Sequence, residues 1–151
     1  MAHPGSETAE CVHLNEVTQE VLQGITAGSN APRLVVRCEN LPRVLASRSQ
    51  MTRLFQTLLR MIVSHSTGGK ELFLYILCEE DKQYRPASAN DPRRYNIHFR
   101  TNALAGTEWR CGNEKSLQEC TFIIARIGGD FAVSGTKNTG CIFSISLLGK
   151  L

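Results

Sequence analysis

The chain has 151 residues, 42% of them apolar and 21% charged, with a formal net charge of +3. This is the size and mix of one soluble globular domain able to bury a core without staples, not that of a disordered or fibrous chain. No apolar run approaches the ~20 residues that span a bilayer, so membrane insertion is excluded as a helix. The mild basicity suits acidic proteins and phosphoproteins as well as nucleic acid. Cys11, Cys38, Cys78, Cys111, Cys120 and Cys141 form no C-x-x-C pair, and no His stands at zinc-ligand spacing from them. Their even number is compatible with disulfides. The N-terminus, however, lacks the basic-then-apolar order of a signal peptide. Reduced, mostly buried thiols in a cytoplasmic protein are therefore expected.

Residues 1–10 read as a flexible polar segment and 11–151 as the domain. In 12–25, VHLNEVTQEVLQGI, the spacing is helical from Leu14 onward, with Asn15 the nearest capping residue. A Gly/Ser/Asn/Pro loop over 26–32 leads to a short β-branched strand, RLVVRC, at 33–38. Residues 39–42 turn the chain into its longest periodic stretch, SRSQMTRLFQTLLRMIVSHS at 47–66. There Ser47 and Gln50 form a capping box. Met51, Leu54, Phe55, Leu58, Leu59 and Ile62 make one apolar stripe, with Met61 at its edge. Paired glycines in STGGK end that helix.

ELFLYILC at 71–78 is nearly all apolar and predicts a strand buried on both faces. A polar loop of some 12–16 residues follows. YNIHFR at 95–100 alternates as a half-exposed strand antiparallel to it. EKSLQECTFIIARI at 114–127 is the third helical pattern, stopped by Gly128 and Gly129. Strands at 130–134 and 141–148, joined by GTKNTG, close the chain as a hairpin. This order predicts an α+β fold, with helices layered on one face of a mixed sheet.

Three stretches carry a resemblance. LPRVLASRSQMTRLFQTLLRM at 41–61 resembles the "LPTVxADPTQLxQLFQNLLxNAIKF" stretch, or N box, of the ATP-binding domain of sensor histidine kinases. Leu41, Pro42, Val44, Ala46, Gln50, Leu54, Phe55, Gln56, Leu58 and Leu59 match. VHLNEVTQEVL is similar to the "VDLNEVVxEVL" that opens many of those domains, just after a dimerising helical hairpin with a phospho-accepting His. That hairpin is not in this sequence. IGGDFAVSGTKNTGCIFSISL at 127–147 is similar to the closing "HGGxIxVxSxxGxGSTFxFxLP", with Gly128, Gly129, Val133, Ser134, Gly140 and Phe143 matching. The resemblance implies the histidine-kinase-type (GHKL) ATPase fold. That fold is a two-layer α/β sandwich, with about five strands in a mixed sheet and three helices on one face.

The nucleotide-binding motifs between these anchors depart from the family. An Asp in "DxGxGI" normally accepts from the adenine amino group, and glycines beside it allow close approach. The corresponding stretch here, RTNALAG, puts Thr101 at the Asp and Ala103 and Ala105 at the glycines. A one-residue slip places Asn102 at the Asp without aligning both glycines. The phosphate loop "GxGLGL", whose N–H groups cradle the triphosphate at a helix N-terminus, reads GNEKSL. Gly112 is retained, but Glu114 replaces a glycine with a charge that repels phosphate. Met61 stands where an Asn holds Mg²⁺, which requires hard oxygen ligands. Ser64 stands where the family has Lys or Arg.

Other candidates are weaker. His65 and His98 are conceivable phospho-acceptors that read as surface or capping residues. Lys115, beside Glu114, reads as a solvated helix start. Arg85, Arg93, Arg94 and Arg100 gather charge near one hairpin, as a solvated face or as a docking patch for an acidic partner. No Ser-His-Asp or paired-carboxylate constellation is evident. Aromatics are not interleaved with a basic face, so no nucleic-acid partner is expected. The expected function is a non-catalytic histidine-kinase ATPase-like domain with no cofactor or metal. It would act as an interaction or regulatory module whose partner is a sensor kinase or response regulator in two-component-type signalling. The alternatives are a divergent ATP-binding histidine kinase and a histidine phosphotransferase fragment.

Overall fold

The computed structural model describes residues 9–26, 33–64, 71–102, 115–136 and 140–151. Their elements run β1 (Glu10–His13), α1 (Leu14–Thr26), β2 (Leu34–Cys38), β3 (Arg43–Ala46), α2 (Arg48–Ser64), β4 (Leu72–Glu80), β5 (Arg93–Thr101), α3 (Lys115–Arg126), β6 (Asp130–Thr136) and β7 (Gly140–Gly149). Five strands form one sheet in the order β2-β4-β5-β7-β6. β2 runs parallel to β4, and the remaining pairs are antiparallel. This is the expected mixed sheet, and the three helices cover one of its faces.

Strand alternation decides which side chains meet the helices. Leu72, Leu74 and Ile76 of β4, Ile97 and Phe99 of β5, and Phe143, Ile145 and Leu147 of β7 point into the core. From the helix side they meet Leu14, Val17 and Val21 of α1, Leu54, Phe55, Leu58 and Ile62 of α2, and Leu117, Cys120, Ile123 and Ile124 of α3. α2 lies between α1 and α3 and packs on both. Its start is the expected Ser47, whose hydroxyl accepts the Gln50 N–H at 3.4 Å and lies 2.9 Å from the Ser49 hydroxyl.

Some expectations fail. β4 is buried on one face only: Phe73 is 50% exposed, and Tyr75 and Leu77 are half-buried. The apolar run predicts a strand buried on both faces, but the helices, as expected, cover only one side of the sheet, so Phe73 faces outward. Residues 10–13 and 43–46 are strands that the sequence does not predict, and Glu10 falls in the segment expected to be flexible. They pair antiparallel, Glu10 opposite Ala46 and His13 opposite Arg43. Glu10 therefore belongs to the folded domain. The ribbon joins the main sheet through reciprocal backbone bonds between Arg43 and Lys150, at 2.7 and 2.8 Å.

Asn15 does not act as a helix cap. Its amide donates to the Glu39 carbonyl at 2.9 Å, and its side-chain oxygen accepts the Leu41 N–H at 2.8 Å. It thus clamps the start of α1 to the connection between β2 and β3. Gly140 opens β7 with φ of 84°, and a Cβ there would lie 2.0 Å from the Thr101 carbonyl oxygen. Both the conformation and the contact exclude a side chain.

Leu58 is fully buried, so Leu58→Ala should cost ~2–5 kcal/mol in denaturant unfolding. A loss below ~0.5 kcal/mol is surface-like and would place α2 off the core. Asn15→Ala removes both clamp bonds and should cost ~1–3 kcal/mol by the same measurement, against an unchanged baseline for the neighbouring Glu16→Ala.

Candidate functional site

The positions that the resemblance assigns to nucleotide lie at one end of α2 and β5. Met61 is on the last turns of α2 and 4% exposed. Its thioether belongs to the same apolar cluster as Leu58 and Ile62. Ser64, at the family's basic position, turns its hydroxyl back onto the Met61 carbonyl at 2.8 Å, a bond that a helical Ser commonly makes to its own backbone. Thr101 ends β5 between Leu74 and Cys141 and is 5% exposed. α2 and β5 are held together nearby by Phe55 and Phe99, whose rings meet edge to face with centroids 5.4 Å apart.

Strand parity sets Thr101 and Asn102 on opposite faces. Thr101 shares the inward face with Ile97 and Phe99. Asn102 is turned toward β4, where its Oδ1 accepts the Phe73 N–H at 2.8 Å and its Nδ2 donates to the Glu71 carbonyl at 3.0 Å. Asn102 is therefore committed to closing the sheet and is not presented to the helix layer. Ala103, Ala105, Gly112, Glu114 and His65 lie outside the described residues. Lys115 is exposed at the first turn of α3. Two hollows among the described residues lie elsewhere. One, of about 460 Å³, is lined by Asp81, Tyr84, Arg94, Asn96, Asp130 and Ser146. The other, of about 520 Å³, is lined by Cys11, Leu45, Pro92, Ile127, Leu148 and Lys150.

The arginines do not gather into a single patch. Arg93 pairs with Glu80 at 3.4 Å, while Arg94 holds both Asp130 and the Ser146 hydroxyl. Arg100 is six residues further along β5, about 20 Å at ~3.4 Å per residue. Arg85 is exposed in the 81–92 connection. The extended strand separates in space what the sequence places close together.

Strand register builds one polar array around His98. His98 Nδ1 lies 2.7 Å from Ser144 Oγ, and its Nε2 lies 3.1 Å from Glu79 Oε1. The three residues stand on β4, β5 and β7 and become neighbours only through strand register. His98 is thus a partnered residue of the open sheet face. The local signal for it was the alternation of YNIHFR, which puts His98 outward.

Of the described cysteines, Cys120 and Cys141 are buried, Cys78 is intermediate, and Cys11 and Cys38 are exposed. All five are free thiols, although fewer are buried than expected. Burial, reinforced by the Glu119 charge, pushes the Cys120 thiol up to about 12. Burial and then the carboxylates of Glu39 and Glu79 push Cys78 up to about 11. The folded protein therefore keeps protons that the unfolded chain releases above the ordinary thiol value of 9.0. Stability is expected to fall as pH rises from 9.0 toward those folded values. Cys120→Val should flatten that fall in unfolding titrations, and native Cys120 should resist iodoacetamide at neutral pH while exposed Cys11 reacts.

No family model and no curated protein matches the sequence. Solved structures do match in fold. The mycobacterial sensor histidine kinase MprB superposes with a TM-score of 0.67 at 15% identity, covering 95% of this chain and 99% of that one. The Acinetobacter baumannii histidine kinase AdeS gives 0.69 at 14% identity, over 95% of this chain and 68% of that one. The cytoplasmic segment of histidine kinase QseC gives 0.63 at 14% identity, over 93% and 78%. The three-helix layer, the mixed sheet and these neighbours together define the histidine-kinase ATPase fold. Among the described residues no helix is long and apolar enough to cross a membrane.

Proposed function

We propose that this chain is a non-catalytic histidine-kinase ATPase-like domain that acts as an interaction or regulatory module in two-component-type signalling. Its partner would be a sensor kinase or a response regulator. The observation that carries the reading is Met61. At the position of the metal-binding Asn, the chain has a thioether sunk among core residues, with no hard oxygen to offer Mg²⁺. Three further features support it. Thr101 offers a hydroxyl where adenine needs a carboxylate acceptor. Asn102 is spent on β4. Ser64 brings no cation. The residues at these positions do not fit magnesium-ATP, and no phosphoryl-transfer step is assigned to them. The second reading is a divergent ATP-binding kinase or a phosphotransferase fragment. It draws on the fold neighbours, which are themselves named as histidine kinases.

Thermal unfolding separates the two. A ligand that binds only the native state must raise the melting point, by about 2.7 kcal/mol of stability at a hundredfold excess over Kd. With ~5 mM Mg-ATP no rise is expected. A saturable rise of several degrees that Met61→Phe abolishes would restore the ATP-binding reading. The interaction role is checked by calorimetric titration against a purified sensor-kinase core and a receiver domain. Saturable binding to one of them, unchanged by ATP, is the expected result.

A further inference from the structure

The outer face of the five-stranded sheet, opposite the helices, has two unlike halves. In one half the charges are satisfied: Arg94 by Asp130 and Ser146, and His98 by Glu79 and Ser144. In the other half, strand register brings together Val35 beside Phe73, and then Arg37, Tyr75, Arg100 and Ile142 in one row across β2, β4, β5 and β7. Phe73 is 50% and Val35 42% exposed. Arg37 and Arg100 are exposed, and among the described residues neither has a carboxylate at salt-bridge distance. A solvent-facing sheet surface is ordinarily polar. Here an exposed ring, a half-buried ring and two arginines without a salt-bridge partner among the described residues share one face of the sheet.

We propose that this face binds single-stranded nucleic acid, with Phe73 and Tyr75 as stacking platforms for bases and Arg37 and Arg100 as phosphate contacts. The dimensions agree. Phe73 and Tyr75 are two residues apart on one strand, about 7 Å. That is twice the ~3.4 Å rise of stacked bases, so each ring takes its own splayed base. Arg37 and Arg100 flank Tyr75 on the neighbouring strands, each ~5 Å away in the sheet. Cations therefore lie on both sides of the Tyr75 ring, where they can reach the phosphates flanking a base stacked on it. An open sheet presenting aromatics suits an unpaired strand, whose bases are free to leave their own stack. Alternating π-faces and phosphates are the chemistry that rings plus guanidiniums recognise. The sequence argued against this partner because cations and aromatics are not interleaved along the chain. They are interleaved across it, with Arg37 from β2, the rings from β4 and Arg100 from β5.

The test is fluorescence anisotropy of labelled oligouridine and oligothymidine dodecamers with the full chain at ~50 mM salt. Saturable micromolar binding is expected. Phe73→Ala and Tyr75→Ala should each weaken it by about tenfold or more, the scale of one lost base stack. The double change Arg37→Gln with Arg100→Gln should weaken it and lower the slope of log affinity against log salt by about 1.4, or ~0.7 per phosphate contact. Arg126→Gln on α3, in the opposite layer, should change neither. Circular dichroism confirms that each variant is folded. Tighter binding of either sugar supports the proposal and identifies which strand is preferred. No saturable binding to either by ~100 μM overturns it. So does binding that survives both ring variants, which would be charge attraction alone. Also decisive against it would be a dimer that Phe73→Ala dissolves, in a protein that takes up no oligonucleotide.

Discussion

The Phe55–Phe99 contact joins the two layers on which the rest of the structure depends. Helices in proteins draw most of their stability from packing an amphipathic face rather than from intrinsic propensity. α2 persists because Leu54, Phe55, Leu58, Leu59 and Ile62 are all fully buried, each contributing ~1.5–3 kcal/mol over an exposed position. The sheet depends on the helix layer in return, since α2, with α1 and α3 beside it, closes the core over the inner faces of β4, β5 and β7. α1 and α3 then pack on the two flanks of α2. Charges bridge these flanks, Arg48 to Glu16 and Glu20, and Arg53 to Glu119. These pairs are exposed and contribute ~0–1 kcal/mol each. The apolar stripes set the packing, and the charges refine its register.

Much of this frame was legible in the sequence because it rests on long periodic stretches. The stripe of α2, the alternation of YNIHFR and the glycine-bounded closing hairpin each repeat often enough to specify element and face. The β1–β3 ribbon was not legible. Each strand has four residues, too few for alternation to stand out. Their pairing also brings together segments separated by the whole of α1 and β2. The clamp by Asn15 was hidden for the same reason. A polar residue at a helix start looks like a cap until the strand connection beside it is known.

The sequence could name the candidate positions but not the environment of those that are described. Sequence comparison alone could not choose between Thr101 and Asn102 at the adenine position, because a one-residue slip costs nothing on paper. In a strand that slip reverses the face. β5 points Thr101 inward and sends the Asn102 amide to β4. The arginine cluster failed in the opposite direction. Arg94 and Arg100 look close in a string of residues but are far apart in an extended strand, and Arg94 is occupied by Asp130.

The two faces of the sheet answer to different constraints. On the inner face every change must conserve volume and remain dry, and there the chain keeps the apolar positions of the resemblance while Met61 joins the core. On the outer face Phe73 and Val35 are exposed and Tyr75 is half-buried, and the fold gains little by leaving such apolar surface in water. Exposed apolar side chains scattered singly need no explanation, but rings aligned by register with arginines that lack a salt-bridge partner among the described residues form a contiguous surface. The same backbone register that buries Leu74 and Ile76 turns Phe73 and Tyr75 outward. A face released from one role by the helices taking the other side is therefore free to carry a second, without altering a single core contact.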